Sequence, residues 1–272
     1  MEIIEQIDGW REQYERWRRW QHPSDSPEHD IESDYPFVEN RRAPFQPARR
    51  ALPMLNLALV TSAGAYIDGA EAFDVHASGG DTSFREIPIE IEAQDLQWAV
   101  RGYNPAAVRE DMNSQVPVER LLEFEGNGII GQLNSVWWSF CGFIPDASRL
   151  VEDALPRFVE RVTRYEVQAA LLVPASRLCH QSMALAARAL ERAGIPTMML
   201  CVDKGVAERV RPPRGAFYAG EFGSVSGKPS WPEHQRRLLD EALRLIEPMD
   251  QVDVRKLVVE LGTETEIERG EK

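Results

Sequence analysis

The chain has 272 residues, 43% of them hydrophobic and 28% charged, enough to bury a sizeable core as one large α/β domain or two smaller ones. A formal net charge of -13 repels nucleic-acid phosphates and anionic lipid, which removes nucleic acid and membrane surfaces from the expected partners. No stretch approaches the roughly 20 apolar residues of a membrane span. The opening residues are charged throughout rather than signal-like, so a cytoplasmic protein is expected.

In chain order, residues 1–20 predict an amphipathic helix, because Ile3, Ile7, Trp10, Tyr14 and Trp17 recur at steps of four and three as one apolar stripe. The stripe fits either packing on the chain's own body or a homodimer contact. Residues 21–53, rich in Pro and charge and without a period, read as an extended arm over the core. LNLALVT (55–61) is a nearly continuous apolar run, as expected of a buried parallel strand. The Gly-rich segment 77–88, the alternating IPIEIE, short helices in NPAAVRED and PVERLLEFE, and the aromatic stretch 128–143 complete a first half spanning 54–148.

The second half, 149–247, has a cleaner rhythm. A helix over roughly 151–166 leads to the strand AALLVP (169–174), and a turn then opens the helix CHQSMALAARALERA. Gly194 and Pro196 stop that helix, and TMMLCV is the next strand. Strand, helix, strand in close succession is a βαβ unit. GAFYAG (215–220) is a further strand candidate, 232–247 a further helix, and 248–272 are expected to hold a C-terminal helix and a charged tail. The expected fold is α/β: parallel sheets with helices on both faces, in two Rossmann-like halves with a pocket between them.

Three widely spaced cysteines, Cys141, Cys179 and Cys201, in a chain without an export signal read as thiols rather than a disulfide framework. The five histidines are scattered, so no metal site is expected. The chemistry concentrates at the turn PASRLCHQS (174–182), where a buried strand's carboxyl end meets a helix amino terminus, the usual ligand position in open α/β sheets. Cys179 in the first helical turn is expected to have a lowered thiol pKa, with Ser176 three residues earlier as the helix cap. An ordinary cap followed by an ordinary buried cysteine leaves the same S-x-x-C trace, so spacing alone leaves both readings open.

VPASRLCHQSMALAARALERAGIPT resembles the segment of the glycine, sarcosine, betaine and D-proline reductase selenoprotein B family in which Sec/Cys-x-x-Cys-His-Gln opens a helix followed by AGIP. LALVTSAGAY, GGDTSFREIP, GYNPAAVREDMNSQVPVERL and GIIGQLNSVWWSFCGF resemble other stretches of that family in the same order, so the likeness runs from about residue 36 to about 247. It implies that the reactive selenium or sulfur position falls on Ser176 and the resolving thiol on Cys179, followed by His180 and Gln181. It further implies a polar group of Asp81, Ser83 and Arg85 and a second of Tyr103, Asp111 and Asn113. An arginine clamps a carboxylate in bidentate fashion, yet a salt bridge of Arg85 with Asp81 within the Gly-rich loop, and helix-boundary capping by Asp111 and Asn113, fit equally.

The serine is the departure that matters. A hydroxyl is barely ionised at neutral pH and forms no disulfide with Cys179, so the two-centre redox cycle is lost unless Cys141 or Cys201 approaches. A second departure is Arg101, where the family often has a histidine before the Gly-Tyr pair. The expected function is a reductase-like enzyme acting on a small amino acid or carboxylate, with Cys179 as nucleophile, His180 as base, no bound cofactor and an external thioredoxin-like thiol as reductant. The alternative is a non-catalytic ligand-binding or partner subunit. A homodimer and a reductase partner subunit are the expected macromolecular contacts.

Overall fold

A computed structural model of the protein describes residues 2–20 and 34–259; the parts of the expected arm and tail at 21–33 and 260–272 lie outside the described residues. Helix α1 (Ile7–Trp20) is the amphipathic helix its pattern predicts. Its aromatics turn onto the chain's own arm. Trp10, Tyr14 and Trp17 stack in sequence with centroids 5.1 and 5.7 Å apart, Trp17 meets Tyr35 edge-on, and Trp10 Nε1 donates to Pro36 O at 2.7 Å.

Strand β1 (Asn56–Thr61) is the apolar run, and β2 (Ala65–Ile67), β3 (Phe84–Pro88) and β4 (Leu96–Trp98) follow. Strand β3 lies earlier than the alternating IPIEIE suggests. Pro88 has no N–H for a ladder, and Ile91 N donates to Pro88 O at 3.2 Å, which turns the chain. Helices α2 (Ala106–Glu110) and α3 (Val118–Gly126) precede β5 (Gln132–Leu133) and β6 (Val136–Phe140). A short turn α4 (Ala147–Arg149) runs through a π-helical segment, Leu150–Ala154, into α5 (Leu155–Arg164).

The predicted βαβ unit is present as β7 (Ala169–Val173), α6 (Arg177–Arg192) and β8 (Thr197–Cys201). Helix α7 (Lys204–Val210), β9 (Arg214–Phe217), α8 (Pro232–Arg244) and β10 (Asp253–Lys256) end the described chain. Strand β10 stands in the stretch expected to be helical. Its DVRK reads as charged surface, but each residue pairs in parallel with one of β9, Asp253 with Arg214 through Lys256 with Phe217.

One sheet carries the fold, in the order β10-β9-β8-β7-β1-β6-β3 with β5 also on β1. All pairings in it are parallel except β3 on β6. The sheet runs through both expected halves, because β1 of the first pairs with β7 of the second over Leu57–Thr61. Alternate residues of β1 enter two cores. Ala58 and Val60 pack under α1, α5, α6 and α7, whereas Leu57 and Leu59 pack under α3 and α8. Burial on both faces is why the strand reads as an unbroken apolar run rather than an alternating one.

Two buried arginines tie the layers together. Arg188 of α6 donates to the carbonyls of Ile3, Glu2, Arg42 and Arg211, fastening the amino terminus, the arm and the end of α7 to one helix. Arg214 pairs with Glu191 at 2.6 Å, both side chains fully buried, and lies 4.0 Å over the ring of Phe45. Among the described residues no helix is long and apolar enough to cross a membrane.

Candidate functional site

From β1 the sheet grows in two directions, through β6 on one side and β7 on the other. A switch point of this kind is where open α/β sheets place a ligand crevice, at the strands' carboxyl ends. Three turns meet there: Ser62-Ala63-Gly64 after β1, Cys141-Gly142-Phe143 after β6, and Pro174-Ala175-Ser176 after β7. Ser62 Oγ accepts from Ala175 N at 2.8 Å, and Gly142 N donates to Ser62 O at 3.2 Å. A Cβ at Gly142 would stand 2.2 Å from Ser62 Cβ and 3.1 Å from Cys179 Sγ, so only glycine lets the turns close on one another.

Ser176 is the N-cap of α6, its Oγ accepting from Cys179 N at 3.2 Å. Cys179 is fully buried, with Sγ 3.8 Å from Ser62 O. The lowered pKa expected of a cysteine in a helix's first turn is not found. Burial raises the thiol above its ordinary value, and the hydrogen bonds from Ser176 and Ser62 only oppose that.

His180, expected as the base, is engaged at both ring nitrogens. Its Nδ1–H donates to Ser176 O at 2.7 Å, and Nε2 accepts from Val202 N at 3.1 Å and Asp203 N at 3.3 Å. Both ring nitrogens are engaged, which fixes one neutral tautomer, and burial pushes the pKa down to about 4. Gln181 accepts from Val38 N and donates to Tyr35 Oη, pinning the arm to α6.

The other sequence candidates divide between this crevice and its scaffold. Tyr103 is in the crevice, its hydroxyl donating to Ala63 O at 2.7 Å. Asp81, Ser83 and Arg85 form a separate cluster. Asp81 accepts from Asp74 N, Ser83 N and Ser83 Oγ, and although burial alone would raise its carboxyl, these bonds hold it below the ordinary value. Arg85 spends its guanidinium on Glu71 O, Ala72 O, Phe84 O and Ser83 Oγ and lies over Phe73 at 4.3 Å. It is a loop clamp, held through Ser83 rather than by an ion pair with Asp81. Asp111 caps the 3-10 turn at Asn113 and receives Ser230 N and Gln235 Nε2, and Asn113 bonds Glu119. This pair joins α3 to α8.

Sequence reasoning missed the groups that enclose the crevice. Gly102 crosses over Ser176, where a Cβ would meet Phe143 Cδ2 at 2.4 Å and Ser176 Oγ at 3.2 Å. Residues 219–223 form a roof: Gly223 N donates to Ala175 O at 2.9 Å, and Phe222, 40% exposed, stands edge-on to His180. Gly223 sits at φ +82 with Asn104 O 2.5 Å from its Cβ position, the one signal a sequence could carry for so close an approach. Of the remaining cysteines, Cys141 shares the crevice, its thiol pushed up to about 12 by burial and then by the proximity of Cys179. Cys201 packs in the core of the opposite face. Among the described residues no three His, Cys, Asp or Glu side chains gather in a way that could hold a metal.

The fold and these meeting turns define a mostly parallel α/β protein with a Ser-x-x-Cys helix turn at the switch point of its sheet. The family described as glycine/sarcosine/betaine reductase selenoprotein B matches residues 27–175, more than half of the chain, and the chain belongs to that family. The match ends one residue before Ser176. The D-proline reductase subunit gamma of Acetoanaerobium sticklandii is 28% identical over 74% of this chain and 81% of its own length. The glycine reductase complex component B subunit gamma of Symbiobacterium thermophilum is 27% identical over 78% of this chain and 49% of its own length. The sarcosine reductase complex component B subunit beta of Peptoclostridium acidaminophilum is 28% identical over 62% and 39%. The chain thus spans half or less of the glycine- and sarcosine-reductase relatives. No solved structure matches.

Proposed function

We propose that this chain is a ligand-binding subunit of a reductase-type assembly, holding a small amino acid or carboxylate at the carboxyl ends of β1, β6 and β7 while a partner subunit supplies the reducing chemistry. The observation that carries this reading is the state of the turn. Ser176 spends its hydroxyl as a cap, and Cys179 behind it is fully buried with a raised thiol pKa. Neither group is an activated nucleophile. Relatives named as subunits of D-proline reductase and of glycine and sarcosine reductase complexes support both the assembly and the ligand class.

The test is calorimetry with glycine, sarcosine, betaine and D-proline, alongside a product assay of the isolated chain with dithiothreitol. Binding of at least one compound without C–N cleavage is expected. Turnover by the isolated chain would overturn the reading.

One observation favours a second reading, a thiol reductase. Cys141 and Cys179 lie close enough for the charge of Cys179 to raise the Cys141 thiol. In that case the Cys179 thiolate displaces the ligand's amine from carbon to leave a thioether, Cys141 attacks that sulfur so that the carbon leaves with a proton and a Cys141–Cys179 disulfide forms, and an external thioredoxin-like dithiol reduces the disulfide. The same assay separates the two, since only this reading yields product from the chain alone.

A further inference from the structure

We infer that Arg101 is the anion anchor of the crevice, the group that receives the ligand's carboxylate; this deepens the ligand-binding reading and rests on it. The position follows from its neighbours. Arg101 precedes Gly102, which lies against Ser176 and Phe143, and Tyr103, whose hydroxyl bonds Ala63 O. Its guanidinium carbon sits 4.6 Å over the ring of Phe143, two residues after Cys141 and beside the Gly142 that faces Cys179 Sγ. The guanidinium is therefore fixed at the rim of the switch-point crevice by an aromatic face rather than by an acid.

What makes it an anchor is unspent capacity. A guanidinium has five N–H donors arranged to match a carboxylate. Arg101 gives one, NH1 to Ala77 O at 2.8 Å, and makes no ion pair among the described residues. The contrast with Arg85, whose donors go to three carbonyls and a hydroxyl, is direct. Burial lowers the pKa of Arg101, with Cys141, Asp74 and Tyr14 as the groups whose charge acts against that. A half-buried cation without an ion pair is costly, and a bound carboxylate would relieve that cost.

The experiment compares the full chain with Arg101→Gln and Arg101→Lys, by calorimetry, with acetate, glycine and betaine and with acetamide, glycinamide and betaine amide, which lack the carboxylate. The wild type is expected to bind a carboxylate and not its amide. Arg101→Gln should weaken it by about tenfold or more, and Arg101→Lys by less. Protection of Arg101 from phenylglyoxal by acetate, read by peptide mass, is expected in the wild type and does not depend on any variant folding. If the wild type binds carboxylates and Arg101→Gln, folded by circular dichroism, binds them equally, or if acetate gives no protection, the assignment is overturned while the ligand-binding reading stands. If the wild type binds none of the compounds, that reading falls and takes the anchor with it.

Discussion

At Ser176, one atom decides what the turn can do. Its Oγ closes the first turn of α6 on Cys179 N, so replacing it with alanine should lower stability by about 1 kcal/mol in urea denaturation. Replacing it with cysteine puts two sulfurs at the cap and third positions of one helix. Ser176→Cys is therefore expected to form a disulfide with Cys179 under mild oxidation, seen as a loss of two hydrogen masses that the wild type does not show. The serine-to-cysteine difference was legible in the sequence because the turn falls between an apolar strand and a helix. The thiol's ionisation was not. Helix position argues for a lowered pKa, but the groups packed against Cys179 Sγ include Ser62 and Gly142, both distant in sequence.

His180 gives a pH test at the same scale. Its pKa falls from about 6.5 in an unfolded chain to about 4 in the fold. The unfolded chain then binds the extra proton between these values. The stability tied to neutral His180 is complete above about pH 6.5 and is lost at up to about 1.4 kcal/mol per unit as pH falls towards 4. Urea midpoints measured across that range should fall in the wild type, and this part of the slope should vanish in His180→Gln.

At the scale of elements, α6 is the part on which most others depend. Its cap forms the crevice floor, Gln181 holds the arm, and Arg188 bonds four carbonyls from three segments. Arg188→Met keeps the stem but strands those carbonyls, with a cost of about 3 kcal/mol or more expected in urea denaturation. Increased proteolysis within residues 2–50 should accompany it, because those are the segments released. Helix α6 itself was readable from Ser176, Gly194 and Pro196. The burial of Arg188 and Glu191 on it was not, since charged residues on a helix normally mark its solvent face. Strand β10 escaped for the same reason: its DVRK carries no apolar alternation, and only pairing with β9 makes it a strand.

Across the whole molecule, the α/β class with helices on both faces was legible because β1, β7 and β8 are unbroken apolar runs separated by punctuated helices. The continuity of the sheet was not, since nothing in LNLALVT names AALLVP as its neighbour. That pairing has a thermodynamic consequence. With β1 and β7 adjacent and both cores crossing residue 148, unfolding should be a single transition. Tryptophan fluorescence and far-ultraviolet circular dichroism are expected to give coincident urea midpoints, whereas separate midpoints would indicate two independent halves.

The central claim is that the crevice is built to hold a ligand around a protonated, enclosed Cys179. Site-resolved iodoacetamide labelling of the native protein as pH is raised tests this most directly. Cys179 should remain essentially unlabelled through pH 8.5, the region where an ordinary cysteine ionises, and become labelled only on unfolding. Rapid labelling near pH 7 with a midpoint below about 8.5 would contradict the account and make Cys179 an activated thiol.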